Sequence, residues 1–188
     1  SENTTTGAIT TLSSISSTGV TSFDANTLAT EAGTGITTGS GTIYRSSVQR
    51  VGGIITTRIL IDLTGLRSTG SGDIIGVNGT SLVCHIGQIT AAQNGTILTG
   101  SMECFEAPAG GDPDINVHSA TEGTGVEDGA IADLTETLLV NAGDATLGSK
   151  VYFSAVPAAD EFLYLTTGDA TDADYTAGKL FIEMMGYA

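Results

Sequence analysis

The amino-acid sequence predicts an all-β protein, an antiparallel β-sandwich of jelly-roll type with an extended N-terminal arm, and three observations lead there. Gly supplies 26 of the 188 residues and Thr 30, so almost a third of the chain favours turns and strands. Charged residues make up only 14%, about half the usual quarter, and the helix formers Lys, Arg, Gln and Met are scarce. From Gly41 onward, short apolar runs alternate with polar residues between clusters of Gly, Pro, Asn and Asp, which punctuate short strands. At 40% hydrophobic residues the chain can fill one buried core, and its length suits a single domain.

Residues 1–40 are the first element, a Thr/Ser/Gly-rich stretch. Its large apolar residues Ile9, Leu12, Ile15, Val20, Phe23, Leu28 and Ile36 follow no sustained period. A structureless stretch of that length is unusual inside a compact domain, so it is expected to be an arm whose isolated apolar residues anchor it along a partner. Residues 41–188 are the expected head. Its first strand is Thr42–Val51. In the next, Ile54–Leu63, the positions Ile55, Thr57, Ile59, Ile61 and Leu63 form the inward face of a half-buried strand. Further strands are expected at Asp73–Val77, Leu82–Thr90, Thr96–Glu106, Asp114–Ser119, Leu134–Val140, Lys150–Val156, Phe162–Thr166 and Lys179–Met185. Between two of these, Gln93-Asn94-Gly95 reads as a three-residue hairpin loop ending in a left-handed Gly. That register sets Ala92 opposite Thr96, Ile86 opposite Met102 and Cys84 opposite Cys104, with both thiols in the core; a slip of one residue would separate them. Cys84 and Cys104 are the only cysteines, without the spacing of a zinc site, and are expected as buried free thiols.

Charge narrows the function. Six Lys+Arg against 21 Asp+Glu give a net charge of −15, which excludes a basic face for DNA or RNA. The longest apolar run, Phe162 to Leu165, is far too short to span a bilayer. The start Ser1-Glu2-Asn3 lacks a basic-then-apolar leader, which fits an expectation of cytosolic synthesis. Arg45, Arg50, Arg58 and Arg67 cluster in sequence, whereas residues 103–188 hold 16 acids with only Lys150 and Lys179. The four arginines are therefore candidates for polar contact with an acidic neighbour, alongside Ile9, Leu12, Ile15 and Phe23 of the arm.

Catalytic chemistry finds little support. His85 and His118 are the only histidines, and both read as structural groups with satisfied nitrogens. The nucleophile-elbow, zinc-protease, phosphate-loop and dinucleotide motifs are missing from the sequence. Cys84 and His85 are adjacent on an expected strand and point to opposite faces, so they cannot act as a pair. Glu103 and Glu106 differ in parity, and the chain has no Trp to line a sugar groove. Asp169, Asp172 and Asp174 could offer oxygens to calcium, but they miss the EF-hand spacing and read as a plain acidic loop. Asn-x-Thr triplets at Asn3, Asn78 and Asn94 are cheap in so Thr-rich a chain. No enzyme, metal or cofactor is expected.

Several strings occur in order: Gly-Ser-Gly-Thr-Ile-Tyr from Gly39, Ile-Leu-Ile-Asp-Leu-Thr-Gly-Leu from Ile59, and His-Ile-Gly-Gln-Ile-Thr-Ala-Ala-Gln-Asn-Gly-Thr from His85. They continue with Glu-Ala-Pro-Ala-Gly-Gly from Glu106, Ser-Ala-Thr-Glu-Gly-Thr-Gly from Ser119, Ala-Val-Pro-Ala-Ala-Asp-Glu-Phe-Leu-Tyr-Leu from Ala155, and Tyr-Thr-Ala-Gly-Lys-Leu-Phe-Ile-Glu from Tyr175. From about residue 39 to the last, the chain resembles small virion proteins of marine tailed bacteriophages. The resemblance implies a virion structural role, and capsid decoration (a cement protein on the capsid exterior) best fits the size, acidity and β content. The partners so implied are the major capsid protein and further copies of the chain, in a homotrimer, with no nucleic acid and no membrane. A tail-tube or tail-accessory subunit is the nearest alternative. A glycan- or receptor-binding module is less well matched, because Tyr44, Tyr152, Tyr164, Tyr175 and Tyr187 are dispersed through the strands.

Overall fold

A computed structural model describes residues 27–79 and 81–188, together with the backbone of residues 13–15 and 21–23. In chain order the elements are β1 (Ser13–Ile15), β2 (Thr21–Phe23), the one-turn helix α1 (Thr34–Thr37), β3 (Ile43–Val51), β4 (Ile54–Asp62), β5 (Arg67–Ser68) and the one-turn helix α2 (Ala91–Asn94). There follow β6 (Thr96–Ala109), β7 (Ile115–Ala120), a 3-10 turn at Ile131–Asp133, β8 (Glu136–Val140), β9 (Lys150–Tyr152), β10 (Phe162–Thr167), β11 (Ala173–Asp174) and β12 (Ala177–Tyr187). Strand far outweighs helix among the described residues, and the sheets are antiparallel, so the all-β class holds.

The largest sheet has the order β3-β4-β12-β6-β9. β3 and β4 form a hairpin closed by Gly52 and Gly53, with Val51 opposite Ile54, and Gly52 takes the positive φ (60°) that this tight turn needs. Along β4, Ile55, Thr57, Ile59 and Ile61 are buried as the alternation predicts. β12 lies at the centre, pairing with β4 on one side and β6 on the other, and turns Leu180, Ile182 and Met184 inward. One face of this sheet therefore supplies core, and the other carries the alternate residues.

A second sheet has the order β10-β7-β8. Leu163, Tyr164 and Leu165 of β10, Val117 of β7 and Leu139 of β8 join the same hydrophobic cluster as the inward residues of the first sheet.

Three expectations are corrected. The stretch Leu82–Thr90 is not a strand of a hairpin with β6; it makes only isolated bridges, at Val83 to Val126 and at Gln88 to Phe162, while β6 pairs with β12 and β9. The reason lies at residues 90–95. Thr90 accepts the Gln93 N–H as a helix N-cap, and the fully buried Asn94 accepts the Thr90 N–H at 2.9 Å and donates to Thr57 Oγ1 at 2.8 Å. A local cap and a buried amide thus win over the hairpin turn. Cys84 is consequently not opposite Cys104, which pairs with Leu180, although both thiols are buried and free as expected. Asp73–Val77 likewise contributes bridges rather than a strand.

The expected boundary at residue 40 also moves. Leu28 and Ile36 are buried, the Gly33 and Gly35 N–H groups donate to the His85 and Val83 carbonyls at 2.8 Å each, and Glu31 accepts from Ser46 Oγ. Residues 27–40 belong to the body. Ile9 and Leu12 lie outside the described residues, as do the side chains of Ile15 and Phe23.

Candidate functional site

The four candidate arginines separate into two kinds. Arg58 on β4 reaches across to Glu183 on β12 at 2.7 Å, and Arg67 on β5 is held by Asp172 at 2.7 Å and Asp174 at 2.9 Å. In the loop of Asp169, Asp172 and Asp174, two of the three carboxylates thus pair with a guanidinium, while the Asp169 N–H donates to Asp112 Oδ2. Arg67 also walls an open groove of about 470 Å³ with Glu127, Asp128 and Asp172. Arg45 and Arg50 on β3 are exposed; Arg45 donates to its own neighbour's carbonyl, Tyr44 O, and Arg50 to Ala92 O. Among the described residues neither has an acidic partner.

The fold regroups charge in a way the linear sequence hides. The five strands of the large sheet carry Arg45, Arg50, Arg58, Lys150 and Lys179 against Asp62, Glu103, Glu106 and Glu183, a net charge of +1. All the rest of the chain holds one base, Arg67, and 17 acids, a net charge of −16. Within the sheet the charges are largely matched: Lys150 meets Glu103 at 3.4 Å, and Lys179 meets Asp62 at 3.3 Å and also Glu106. A register shift between Lys179 and Leu180 sets Glu106 beside Lys179, so Glu106 joins Glu103 on the outward face, contrary to the simple parity count.

Apolar residues concentrate on the same strands. Of the twelve large apolar side chains exposed among the described residues, eight belong to this sheet: Ile43, Val51, Ile54, Leu98, Phe105, Tyr152, Met185 and Tyr187. Phe105 stacks on Phe181 with ring centroids 5.1 Å apart. An outward sheet face facing water is ordinarily polar, and apolar residues gathered on one face mark a contact surface.

The groups with chemical potential are mostly built in. Burial pushes the Cys84 thiol up to about 12, and its Sγ donates to Leu82 O; burial raises Cys104 too. Neither is a ready thiolate nucleophile. His118 Nδ1 lies 2.7 Å from Glu136, as a satisfied structural histidine should. His85 departs from expectation: it is buried against Phe162 with centroids 5.0 Å apart, its Nδ1 has no hydrogen-bond partner among the described residues, and desolvation depresses its pKa. Asp112, 1% exposed, accepts the N–H groups of Asp114 and Asp169, which fixes the turn after Gly110-Gly111. Asp114 beside it has a raised pKa, from burial first and then from Asp112, Asp169 and Asp144. Among the described residues no group of three or more His, Cys, Asp or Glu is arranged to hold a metal ion, and no helix is long and apolar enough to cross a membrane.

Sequence reasoning singled out the arginines and missed the sheet face. The alternation along β4 and β12 already put Ile54, Leu60, Phe181 and Met185 on the outward side, but strand order was needed to gather them. Comparison with known proteins finds no matching family model, no matching curated protein and no matching solved structure.

Proposed function

We propose that this chain is a non-enzymatic virion structural protein, a capsid decoration protein that stabilises a tailed-phage capsid through symmetric contacts with the major capsid protein and with its own copies. The observation that carries the reading is the open face of the five-stranded sheet, which gathers most of the exposed large apolar side chains among the described residues between matched ion pairs, on a protein that is otherwise strongly acidic. A protein that works by contact needs such a surface and needs no reactive centre. The resemblance to marine phage virion proteins supplies the setting. In this reading the two sheets form a jelly-roll sandwich, and residues 1–26 act as the extended arm on the shell or on a neighbouring copy. A trimer about a local threefold is the assembly expected from the sequence. The acidity keeps unassembled copies soluble and away from DNA.

Imaging purified virions that carry the chain, followed by stepwise dissociation, tests the assignment. Density on the capsid exterior and release before shell rupture are expected. Recovery of the chain only from tails, or only outside particles, would refute decoration.

A further inference from the structure

We infer that the outward face of the five-stranded sheet is a self-association surface, covered in solution by the same face of a second copy of this chain. The inference rests on the proposed self-contact but not on the capsid, and it is tested on the isolated protein.

Charge selects the occupant. Two copies at −15 each repel over the distances that precede contact, and nearly all of that charge lies away from this sheet. The outward face is neutral, with Arg45, Arg58, Lys150 and Lys179 against Asp62, Glu103, Glu106 and Glu183, while Arg50 sits opposite the buried Ile55 on the other side; it is where two copies can meet without a net clash of acid on acid. A head-to-tail contact with a neighbour's acidic side is the competing geometry, but it fits poorly. Arg58, Lys150 and Lys179 already have carboxylate partners within their own sheet, and an acidic surface would bury its carboxylates against Ile54, Met185 and Tyr187. Apolar residues are best covered by apolar residues, and the same face of another copy provides them in equal number.

Size agrees. Four strands about 4.8 Å apart with about nine paired residues of about 3.3 Å rise, and the three-residue β9 at the edge, outline roughly 600 Å², the lower bound of the ~600–1,000 Å² per partner of a standard stable interface. A face that meets itself is isologous and closes with two copies, so the solution species is a dimer rather than the trimer expected from sequence.

Sedimentation equilibrium of the full chain, with and without added salt, is the experiment. A dimer that tightens as salt is raised is expected, because screening weakens the long-range repulsion and leaves the apolar contact. Met185→Glu and Arg45→Glu should each weaken dimerisation by about tenfold or more, with circular dichroism unchanged and thermal melts matching the parent's at dilutions where both are monomeric. Leu138→Glu, which adds the same charge on β8 outside this sheet, should not. A monomer up to about 100 µM, a trimer, a dimer that loosens with salt, or sheet-face variants that associate like the parent would each overturn the inference. So would dissociation on removal of residues 1–26 with the face variants intact, since the arm would then be the occupant.

Discussion

The five-stranded sheet and the stretch Leu63–Gly95 bury apolar side chains equally well, by different means. In the sheet, alternation does the work: successive residues of β4 and β12 point in and out, and the backbone is satisfied by the ladder itself. In the stretch, Leu63, Leu66, Ile74, Ile75, Cys84, Ile86 and Ile89 are all at 1% exposure or less, yet its one strand is the two-residue β5. Its N–H groups are satisfied singly, Ile75 on Leu165 O at 3.0 Å, Cys84 on Gly125 O at 2.8 Å and Ile86 on Leu163 O at 2.7 Å. Side-chain burial and backbone satisfaction are thus separable requirements. The sheet meets both by pattern and should tolerate change on its open face, whereas the stretch meets them by close approach and should not.

Truncation sharpens that contrast most. Deleting residues 1–38 removes the buried Leu28 and Ile36 and the Gly33 and Gly35 hydrogen bonds to the stretch, and should cost at least about 4 kcal/mol, judged from core truncations. Deleting only 1–26 removes none of these and should leave the melting transition nearly unchanged. Next comes Gly35→Val: a Cβ there would lie 2.4 Å from Cys84 Sγ and 2.7 Å from Leu82 O, so urea melts should show a loss of about 3 kcal/mol. Gly95 is held at φ 68°, ψ −162°, a region reserved for Gly, and Gly95→Val should cost about 1–3 kcal/mol.

A smaller effect of opposite sign is expected at Asp114, whose folded pKa lies above its unfolded value. The penalty of ionising it in the folded state is absent below the usual carboxylate range near about 4, and is complete above the folded pKa. Asp114→Asn should therefore stabilise by about 1 kcal/mol at neutral pH, on the scale of one relieved buried charge contact, and the gain should vanish as pH falls. A gain that persisted in acid would show that the cause is packing rather than charge. If Gly35→Val were tolerated, or if Met185→Glu unfolded the protein, the division between a pattern-built and a contact-built region would fail.

Much of the pattern-built region was legible beforehand. Of the ten strands expected from alternation and turn clusters, those of the large sheet coincide with β3, β4, β6, β9 and β12 within a few residues at their ends. Leu82–Thr90 was misread because its alternation of Cys84, Ile86 and apolar neighbours signals burial, which a threaded segment satisfies as well as a strand does. The Gly95 positive φ was anticipated for the wrong turn; a buried Asn94 bonded to Thr57 is a long-range event that local spacing does not encode. The candidate site was legible only in part. The clustering of Arg45, Arg50 and Arg58 reflects the β3–β4 hairpin, but Lys150 and Lys179 arrive from distant strands, and the bulge that brings Glu106 beside Lys179 has no simple sequence mark.

The claim that the open sheet face is the covered surface, with the acidic remainder left in water, is tested most directly by oxidative footprinting of the native protein across a dilution series. Met185, Tyr152 and Tyr187 should be protected at high concentration and become reactive on dilution, while Leu138 and Val156, exposed outside the sheet, react equally throughout. Uniform reactivity of Met185, Tyr152 and Tyr187 at every concentration, or protection confined to Leu138 and Val156, would contradict it.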